Sequence, residues 1–455
     1  MKTIIGRQAE FVHNLSYAAL PEHVIEQAKE CILDTVGCAI AGAGFAEISG
    51  AITTFKEFDR QRQCSIWGTD QSCSLQNAIL INAMSSHAVE MDDVHKTSKT
   101  HTGAVVIPAA VTLAGYRHTN GRELISAVVA GYETALRIGT GINAAAHRLQ
   151  GWHATGVCCT FGAAAALAKL MQLSEVQTMQ AMGMAGVQSS GLWALTMDGA
   201  TCKKLHMGHA AQSGLTSTLL AKGGMTGPGY IIEAADGGLF KAASSGYDFA
   251  AVTAGLGTVW EILKVDRKPY ACCRSAQPPI DAILSIKKEF DISADSVEHI
   301  LVETYEIAVK QCFNTKRPAN IVEAQLCIPY TVAVALLDGA ASAKQFTAAR
   351  LDDERLMALA DKVDVCAAAE FTVNYPLNWG CKLTLSTKDG RKYQKTIINA
   401  KGDSANPLSG ADLESKFKSL TKGIVTYKKQ QEIIDFIYSL EKQEDISGLV
   451  DLLSI

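Results

Sequence analysis

Residues 87–101 concentrate side chains that can hold or move protons. The segment carries three imidazoles and three carboxylates, at His87, Glu90, Asp92, Asp93, His95 and His101. The residues before it, 76–86, are predicted to form a helix, and so are the residues after Pro108. The cluster therefore lies where one helix ends and the next begins, between apolar stretches. This position favours a binding or proton-transfer site over a solvated loop.

Two further segments could add groups to such a site. The turn at 151–156 contains His153, a candidate ligand contact, although a structural histidine fits the local pattern equally well. Lys203 and Lys204, with His206 one turn later, are flanked by small and apolar residues. Neighbouring lysines are usually solvated, but these flanks favour at least one lysine that points into a cleft.

Residues 267–274 carry three cations within eight positions, Arg267, Lys268 and Arg274. Because Lys and Arg hydrogen-bond carboxylates well, this segment suits a small polyanionic substrate. An ordinary basic linker is the alternative. The polar segment 314–318 is predicted to be a loop.

Other common chemistries lack their motifs. The glycines of residues 223–229 do not follow the dinucleotide-binding spacing, and there is no phosphate-binding loop, nucleophile elbow or zinc-protease motif. The vicinal cysteine pairs do not have metal-ligand spacing. The remaining carboxylates, imidazoles and lysines suit proton abstraction next to a carboxylate, with cations stabilising the enolate-like charge. We therefore predict that no metal is required.

The composition is that of a globular chain of 455 residues with a net charge of −4. This charge gives no positive electrostatic potential that would attract nucleic acid or anionic membranes. No apolar run has the length of a transmembrane helix, and no signal peptide is visible. The 13 cysteines are scattered, many within apolar runs, as expected for thiols in a reducing compartment. We expect a cytoplasmic protein with neither nucleic-acid nor membrane partners.

The periodicity changes along the chain. Apolar residues recur at helical spacing through most of the first 265 residues, for example at 23–41 and 121–142. Beyond Lys264 the pattern alternates, with a strand predicted at 297–303 and a hairpin at 381–398. Helical spacing then returns near the C-terminus.

This change predicts a mainly α fold with an insertion. We predict a large all-helical domain built from both chain ends, residues 1–264 and 401–455, and a smaller α+β lid domain, residues 265–400. A cleft between two such domains is a usual place for a small-molecule site.

Taken in order, the polar segments resemble the MmgE/PrpD family. The matching segments are His87-Ala-Val-Glu-Met-Asp92-Asp93, His101-Thr-Gly-Ala, Gly151-Trp-His153, Lys203-Lys-Leu-His206-Met-Gly-His-Ala-Ala211 and Lys268-Pro-Tyr-Ala-Cys-Cys-Arg274. The resemblance covers nearly the whole chain. It implies a helical domain with a small α+β lid, a homodimer, no cofactor and a small polycarboxylate as substrate.

The resemblance also implies roles for individual residues. His101 is the leading general base or acid, oriented by Asp93 or Glu90, because an imidazole suits proton transfer at neutral pH. His153 is the second acid/base group. Lys203 holds a carboxylate and stabilises the charge that develops during the reaction.

Substrate binding is assigned in the same way to Asp92, Lys268, Cys273 and Arg274. The histidine that dehydratases and decarboxylases of the family have shortly after the second lysine is missing. Cys273 or Arg274 stands in its place, and Gln277 stands where many relatives with a similar segment have histidine.

Further departures affect the reaction class. Glu90 replaces an aspartate of the decarboxylase, Val94 replaces its threonine, and Cys312 falls near its tyrosine. The loss of the family histidine and of this threonine argues against decarboxylation of cis-aconitate and leaves dehydration and isomerisation open.

We therefore expect a lyase or isomerase, of dehydratase or epimerase type, that removes a proton α to a carboxylate of a small di- or tricarboxylate. A cis-aconitate-type decarboxylase and a non-catalytic polycarboxylate-binding protein are the alternatives. A metal-dependent hydratase that uses Asp92, Asp93, His95 and His101 as ligands is a further one.

Overall fold

The computed structural model describes residues 2–196 and 199–455. It has 58% of its residues in helices and 9% in strands, which confirms the predicted dominance of helices. The described residues form two compact units. Unit 1 comprises residues 2–196, 201–265 and 409–455, and unit 2 comprises residues 199–200 and 266–408. We propose that these units are the helical domain and the inserted domain.

Unit 1 is built from long helices and a few very short strands. Its helices before residue 265 are α1 (Ile4–Asn14), α2 (Glu22–Gly42), α3 (Ala46–Phe58), α4 (Leu75–Ala88), α5 (Gly103–Tyr116), α6 (Gly121–Gly141), α7 (Ala144–Leu149), α8 (Ala154–Leu170), α9 (Glu175–Val187), α10 (Lys203–Lys222) and α11 (Leu239–Ala243). Its strands are β1 (Cys64–Ser65), β2 (Ser72–Cys73) and β3 (Val94–His95), and β4 (Val265–Asp266) lies at its boundary. The unit is therefore not all-helical as predicted, because β1 and β2 pair in an antiparallel hairpin.

Helix α8 runs through the core of unit 1. Its residues are buried except for Lys169, and α5, α6 and α10 pack against it. The backbones of α6 and α8 approach closely at two glycines. A Cβ atom at Gly162 would lie 2.6 Å from the carbonyl oxygen of Gly131, so a larger residue would force the helices apart.

Unit 2 combines short helices with a mixed sheet. Its helices are α12 (Gln277–Phe290), α13 (Glu306–Cys312), α14 (Ile321–Gln325), α15 (Ile328–Asp338), α16 (Ala348–Leu351), α17 (Glu354–Ala360) and α18 (Ala369–Thr372). Its strands are β5 (Val297–Thr304), β6 (Val363–Ala367), β7 (Cys381–Thr387) and β8 (Lys392–Ile397). The sheet has the order β6-β5-β7-β8, with β5 and β6 parallel and the other neighbours antiparallel. The predicted strand and hairpin are confirmed.

The sheet of unit 2 buries one face. Alternate residues of β7 are buried, and α12 contacts β7 and β8. This alternation is what a strand with one face against helices requires.

The chain then returns to unit 1 with α19 (Gly410–Thr421), α20 (Tyr427–Tyr438) and α21 (Ser447–Leu453). Helix α19 begins at a capping box formed by Ser409 and Asp412 and packs on α2. Among the described residues, no single helix has both the length and the apolar composition needed to cross a membrane. The bent pair α2 and α3 meets those two criteria only when taken together.

Candidate active site

The polar cluster lies in the connection between α4 and α5. Glu90 has a left-handed backbone conformation, with a φ angle of 57°, which costs a non-glycine residue about 1–3 kcal/mol. The ammonium group of Lys416 on α19 donates to the carbonyl oxygen of Met91 at 2.6 Å and to Oδ1 of Asp34 at 2.5 Å. These hydrogen bonds tie the connection to α2 and α19.

The hydrogen bonds of His101 determine where its ring carries hydrogen. Its Nδ1 atom lies 2.9 Å from the carbonyl oxygen of Asp93 and 3.2 Å from Oδ2 of Asp92. Since a carbonyl oxygen can only accept, Nδ1 donates, and the lone pair of the neutral ring is on Nε2. The backbone N–H of His101 donates to Oγ1 of Thr155 on α8 at 3.1 Å. The half-buried ring is therefore a base at Nε2.

A chain of polar contacts continues from Asp92 to Lys203. Oδ2 of Asp92 also lies 2.8 Å from Nδ1 of His87, and Nε2 of His87 lies 3.0 Å from Oε1 of Glu90. The same Glu90 oxygen accepts from the ammonium group of Lys203. The rings of His87 and His101 meet edge-on, with their centroids 4.7 Å apart. The structure thus brings together Glu90, Asp92, His101 and Lys203 as predicted, and adds His87.

The sequence analysis expected the side chain of Asp93 or Glu90 to orient His101. The carboxylate of Asp93 instead contacts other groups. It accepts from the hydroxyl group of Tyr132 at 2.5 Å and from the backbone N–H of Gly103 at 2.9 Å. The Asp93 atom that contacts the His101 ring is the backbone carbonyl oxygen. The second contact caps α5, which therefore begins at Gly103, ahead of Pro108. Burial raises the pKa of Asp93 to about 7, although both hydrogen bonds lower it.

His153 is paired with a second imidazole that the sequence analysis did not select. Its Nδ1 atom lies 2.9 Å from Nδ1 of His206, and its ring centroid lies 4.7 Å from that of Trp193. Burial, and next the charge of Lys203, lowers the pKa of His153 well below its ordinary value. Burial, and next the charge of His87, lowers the pKa of His206 to about 4. Both rings are therefore neutral at pH 7.

The histidine pair and the acidic connection are linked through α10. Lys203 and His206 lie one turn apart on this helix, so they share a face. Lys203 reaches Glu90, while His206 reaches His153. The one-turn spacing from Lys203 was the sequence signal that could have identified His206.

Two further half-buried cations, Arg148 and Lys99, lie near Trp193 and Lys203. The Arg148 guanidinium carbon lies 4.5 Å from the ring centroid of Trp193, and the Lys203 ammonium nitrogen lies 5.9 Å from it. Nε of Arg148 is buried and has no hydrogen-bond partner within the described part of the chain. Burial lowers the pKa of Arg148 to about 10. Burial, and next the charge of Arg148, lowers the pKa of Lys99 to about 8. Nothing in the local sequence singled out either residue.

Arg274, which was predicted to bind a substrate carboxylate, is instead held by residues of unit 2. It is buried, and its Nε lies 3.1 Å from Oδ2 of Asp266. Nη2 lies 3.2 Å from Oδ2 of Asp403, and Nη1 lies 3.1 Å from Oε1 of Gln277. Each guanidinium nitrogen thus has an acceptor in the protein. We propose that Arg274 is a structural residue, and its predicted role in substrate binding stays an untested prediction.

The other selected residues of unit 2 lie near this cluster. Lys268 is 1% exposed. Cys273 is half-buried, and its backbone N–H donates to the carbonyl oxygen of Gln325 at 2.8 Å. Gln277 donates to two backbone carbonyl oxygens at 3.3 and 3.4 Å, in addition to accepting from Arg274. The roles of Lys268 and Cys273 in substrate binding stay predictions.

One group of side chains has the geometry of a partial metal site. His87, Asp92 and His101 each offer a ligand atom, and these atoms lie within 4.8 Å of one another. The predicted ligand set is not assembled as proposed. The carboxylate of Asp93 caps α5, and Nδ1 of His95 lies 2.9 Å from Oγ of Ser98. Within the observed group, Oδ2 of Asp92 lies 2.8 Å from Nδ1 of His87 and 3.2 Å from Nδ1 of His101.

Comparisons with known proteins identify the family. The model of the MmgE/PrpD N-terminal domain matches residues 6–251, and that of the C-terminal domain matches residues 270–442. The chain belongs to the MmgE/PrpD family. This confirms the resemblance on which the residue assignments were based.

Relatives of this MmgE/PrpD chain match it from end to end. Cis-aconitate decarboxylase of Aspergillus terreus is 27% identical over 472 residues, covering 99% of this chain and 96% of the relative. The cis-aconitate decarboxylase-like protein oryM of Aspergillus oryzae is 26% identical over 471 residues, covering 99% and 97%. Cis-aconitate decarboxylase of Homo sapiens is 25% identical over 466 residues, covering 100% and 95%.

Proposed function

We propose that this protein is an enzyme that removes a proton α to a carboxylate of a small di- or tricarboxylate. The hydrogen bond from Nδ1 of His101 to the carbonyl oxygen of Asp93 carries the proposal, because it leaves Nε2 as the basic nitrogen. Membership of a family whose curated relatives are named as decarboxylases supports a lyase-type enzyme that acts on carboxylates.

In the proposed first step, Nε2 of His101 takes the α-proton, and the electron pair of the C–H bond moves onto the neighbouring carboxylate. Nearby cations stabilise the resulting enediolate. In a dehydration, the β-hydroxyl group then leaves as water with the proton from His101. In an epimerisation, His153 returns a proton to the opposite face. Neither route draws on a cofactor, so we propose a cofactor-independent enzyme.

We assign the substrate carboxylates to cations of unit 1. Lys203 stands one helical turn from His206, and Arg148 packs on the ring that also contacts His153. The buried Nε of Arg148 is a hydrogen-bond donor without an acceptor among the described residues, and a substrate carboxylate would supply one. Lys99 adds positive charge beside Arg148. These residues take the role that the sequence analysis gave to Arg274.

Decarboxylation is the second candidate reaction, since the relatives that match the whole chain are named cis-aconitate decarboxylase. Two positions argue against it. Val94 has no hydroxyl group, and Gln277 has an amide that does not titrate and is engaged with Arg274. A binding protein without catalysis is the third candidate.

The test is a panel of 2-hydroxytricarboxylates and unsaturated diacids, with products followed by NMR. Loss of a β-hydroxyl group or inversion at the α-carbon supports the proposal. Release of carbon dioxide favours decarboxylation. Tight binding of a panel member with no chemical change in any of them favours the binding protein.

The same assay tests the metal question. Dialysis against a chelator is expected to leave turnover unchanged, because lysine and arginine supply the positive charge that a metal would provide. A loss of turnover that a divalent ion restores would instead make His87, Asp92 and His101 the candidate ligands.

A further inference from the structure

We propose that His206 is a positioning residue that fixes the tautomer of His153, with Nδ1 of His206 as the donor and Nδ1 of His153 as the acceptor. That the two rings have opposite tautomers follows from the contact itself, whereas the choice of His206 as the donor, and its chemical use, rest on the proposed function.

The distance between the two rings limits their protonation. A separation of 2.9 Å between Nδ1 of His153 and Nδ1 of His206 is a hydrogen bond, so one nitrogen donates and the other accepts. Two imidazolium rings would both donate and would repel each other. Two neutral rings must have opposite tautomers: the donor ring carries hydrogen on Nδ1, and the acceptor ring carries it on Nε2.

The surroundings keep both rings neutral. The charged or titratable groups that act on the pair are Lys203, His87, His101 and His209. Lys203 is a cation, and none of these groups is an acid that would stabilise an imidazolium. Burial acts in the same direction.

The backbone holds both rings in place. The N–H group of His153 donates to the carbonyl oxygen of Gly191 at 2.9 Å. A Cβ atom at Gly191 would lie 3.4 Å from Nδ1 of His206 and 3.5 Å from Cβ of His153, and its φ angle is 130°. Trp193 covers the ring of His153. The pair therefore packs against a glycine and beneath an aromatic ring.

The direction of the hydrogen bond between His153 and His206 is inferred from the role of His101. In the proposed reaction His101 acts as the base through Nε2, so the second group is useful as a donor. If His206 donates, His153 carries its hydrogen on Nε2 and can donate it to developing negative charge. A neutral imidazole held in one tautomer can serve as such an electrophile.

NMR of protein labelled with ¹⁵N in the histidine rings measures the tautomer without substrate. A His153→Gln variant assigns the signals. In the wild-type protein, His153 is expected to carry hydrogen on Nε2 and His206 on Nδ1. In His206→Leu, the nitrogens of His153 should shift towards values averaged over both tautomers. In His206→Asn, the side-chain amide can still donate, so the wild-type signals of His153 should persist.

Kinetics give the second readout. His206→Leu is expected to lower kcat about 10- to 100-fold, the usual scale for a residue that orients another, with little change in KM. His206→Asn should restore most of this loss. His209→Leu removes a neighbouring imidazole from the same helix and should leave both kcat and the His153 signals unchanged.

Two results would overturn the proposal: hydrogen on Nδ1 of His153 in the wild-type protein, or His206→Leu with unchanged His153 signals and kcat. If His206→Leu does not fold, the wild-type and His206→Asn spectra decide. If His153 carries hydrogen on Nε2 but the protein converts none of the carboxylates in the panel, the proposed function is rejected and the tautomer assignment stands.

Discussion

The imidazole cluster of unit 1 and the Arg274 cluster of unit 2 both bury charged groups, but they use hydrogen bonds differently. Arg274 is a permanent cation that donates to two carboxylates and an amide oxygen. The guanidinium group can only donate hydrogen bonds, and these oxygens can only accept them. In unit 1, Asp92 serves two imidazoles, and His153 and His206 share one hydrogen between facing nitrogens. Each imidazole nitrogen can donate or accept.

The difference separates groups that stabilise a fold from groups that can react. A buried network that has a single protonation state cannot give a proton to a substrate or take one from it. A network in which a proton can occupy alternative positions can take up or release one with small movements. From the sequence, Arg274 and His101 are equally plausible as site residues. In the structure, His101 lies in a network of the second kind, and Arg274 lies in one of the first kind.

The largest expected effect is that of His101→Asn. The amide can still donate to the carbonyl oxygen of Asp93, but the basic Nε2 is lost. We expect kcat to fall about 10²- to 10⁴-fold, the scale of general acid–base catalysis, while the affinity for substrate is retained. Steady-state kinetics and calorimetric binding check both parts. Unchanged kcat would place the base elsewhere, with Glu90 and His153 as candidates.

Arg274→Met tests the other half of the comparison. It leaves Asp266 and Asp403 buried without this cation, which is expected to lower the free energy of unfolding by about 3–5 kcal/mol. Denaturant unfolding measures the change, and Arg274→Lys should be milder. The folded fraction should keep its KM. A stable Arg274→Met variant with a raised KM would return Arg274 to substrate binding.

Asp93 gives a pH dependence of stability. Its pKa is about 7 in the folded protein and about 4 in an unfolded chain. The folded state therefore binds the proton more tightly, and the free energy of unfolding falls as the pH rises from about 4 to 7. Asp93→Asn removes this contribution, so its stability relative to the wild type should increase between pH 5 and pH 8. Denaturation at both pH values tests this, and an unchanged difference would contradict it.

The smallest effect is expected for Arg148→Met. Loss of the guanidinium group removes a proposed carboxylate contact but no group that moves a proton. KM should rise about tenfold, with kcat within about threefold of the wild type. Arg148→Lys is the matched control and should restore part of the affinity. A fall in kcat with unchanged KM would contradict a binding role.

Local spacing in the sequence indicated several residues that the structure brings together. His101, Glu90 and Asp92 lie in one connection. Lys203 was selected from its segment, whereas His206, one turn further along α10, was not. Helical periodicity likewise located α4 and α6, and alternation located β7 and β8. The two-residue strands β1 and β2 are too short to leave a pattern.

At the candidate site, the contacts that the sequence analysis did not predict are long-range ones. Arg274 and Asp403 are 129 positions apart, and the residue type of a cation does not reveal whether a distant acid pairs with it. The carboxylate of Asp93 binds Tyr132, which is 39 positions away, so its neighbour in sequence, Asp92, takes the contact with the His101 ring. The guanidinium group of Arg148 lies over the ring of Trp193, which is distant from it in the sequence.

The most direct test of the account is the exchange of the substrate α-hydrogen in D₂O, followed by NMR with a carboxylate that the protein binds. The wild-type protein is expected to incorporate deuterium at that carbon even when net turnover is slow. His101→Asn, which keeps the hydrogen bond to Asp93, should bind the same compound and exchange it at least about 10²-fold more slowly. Exchange at the wild-type rate in His101→Asn would contradict the central claim that Nε2 of His101 is the base.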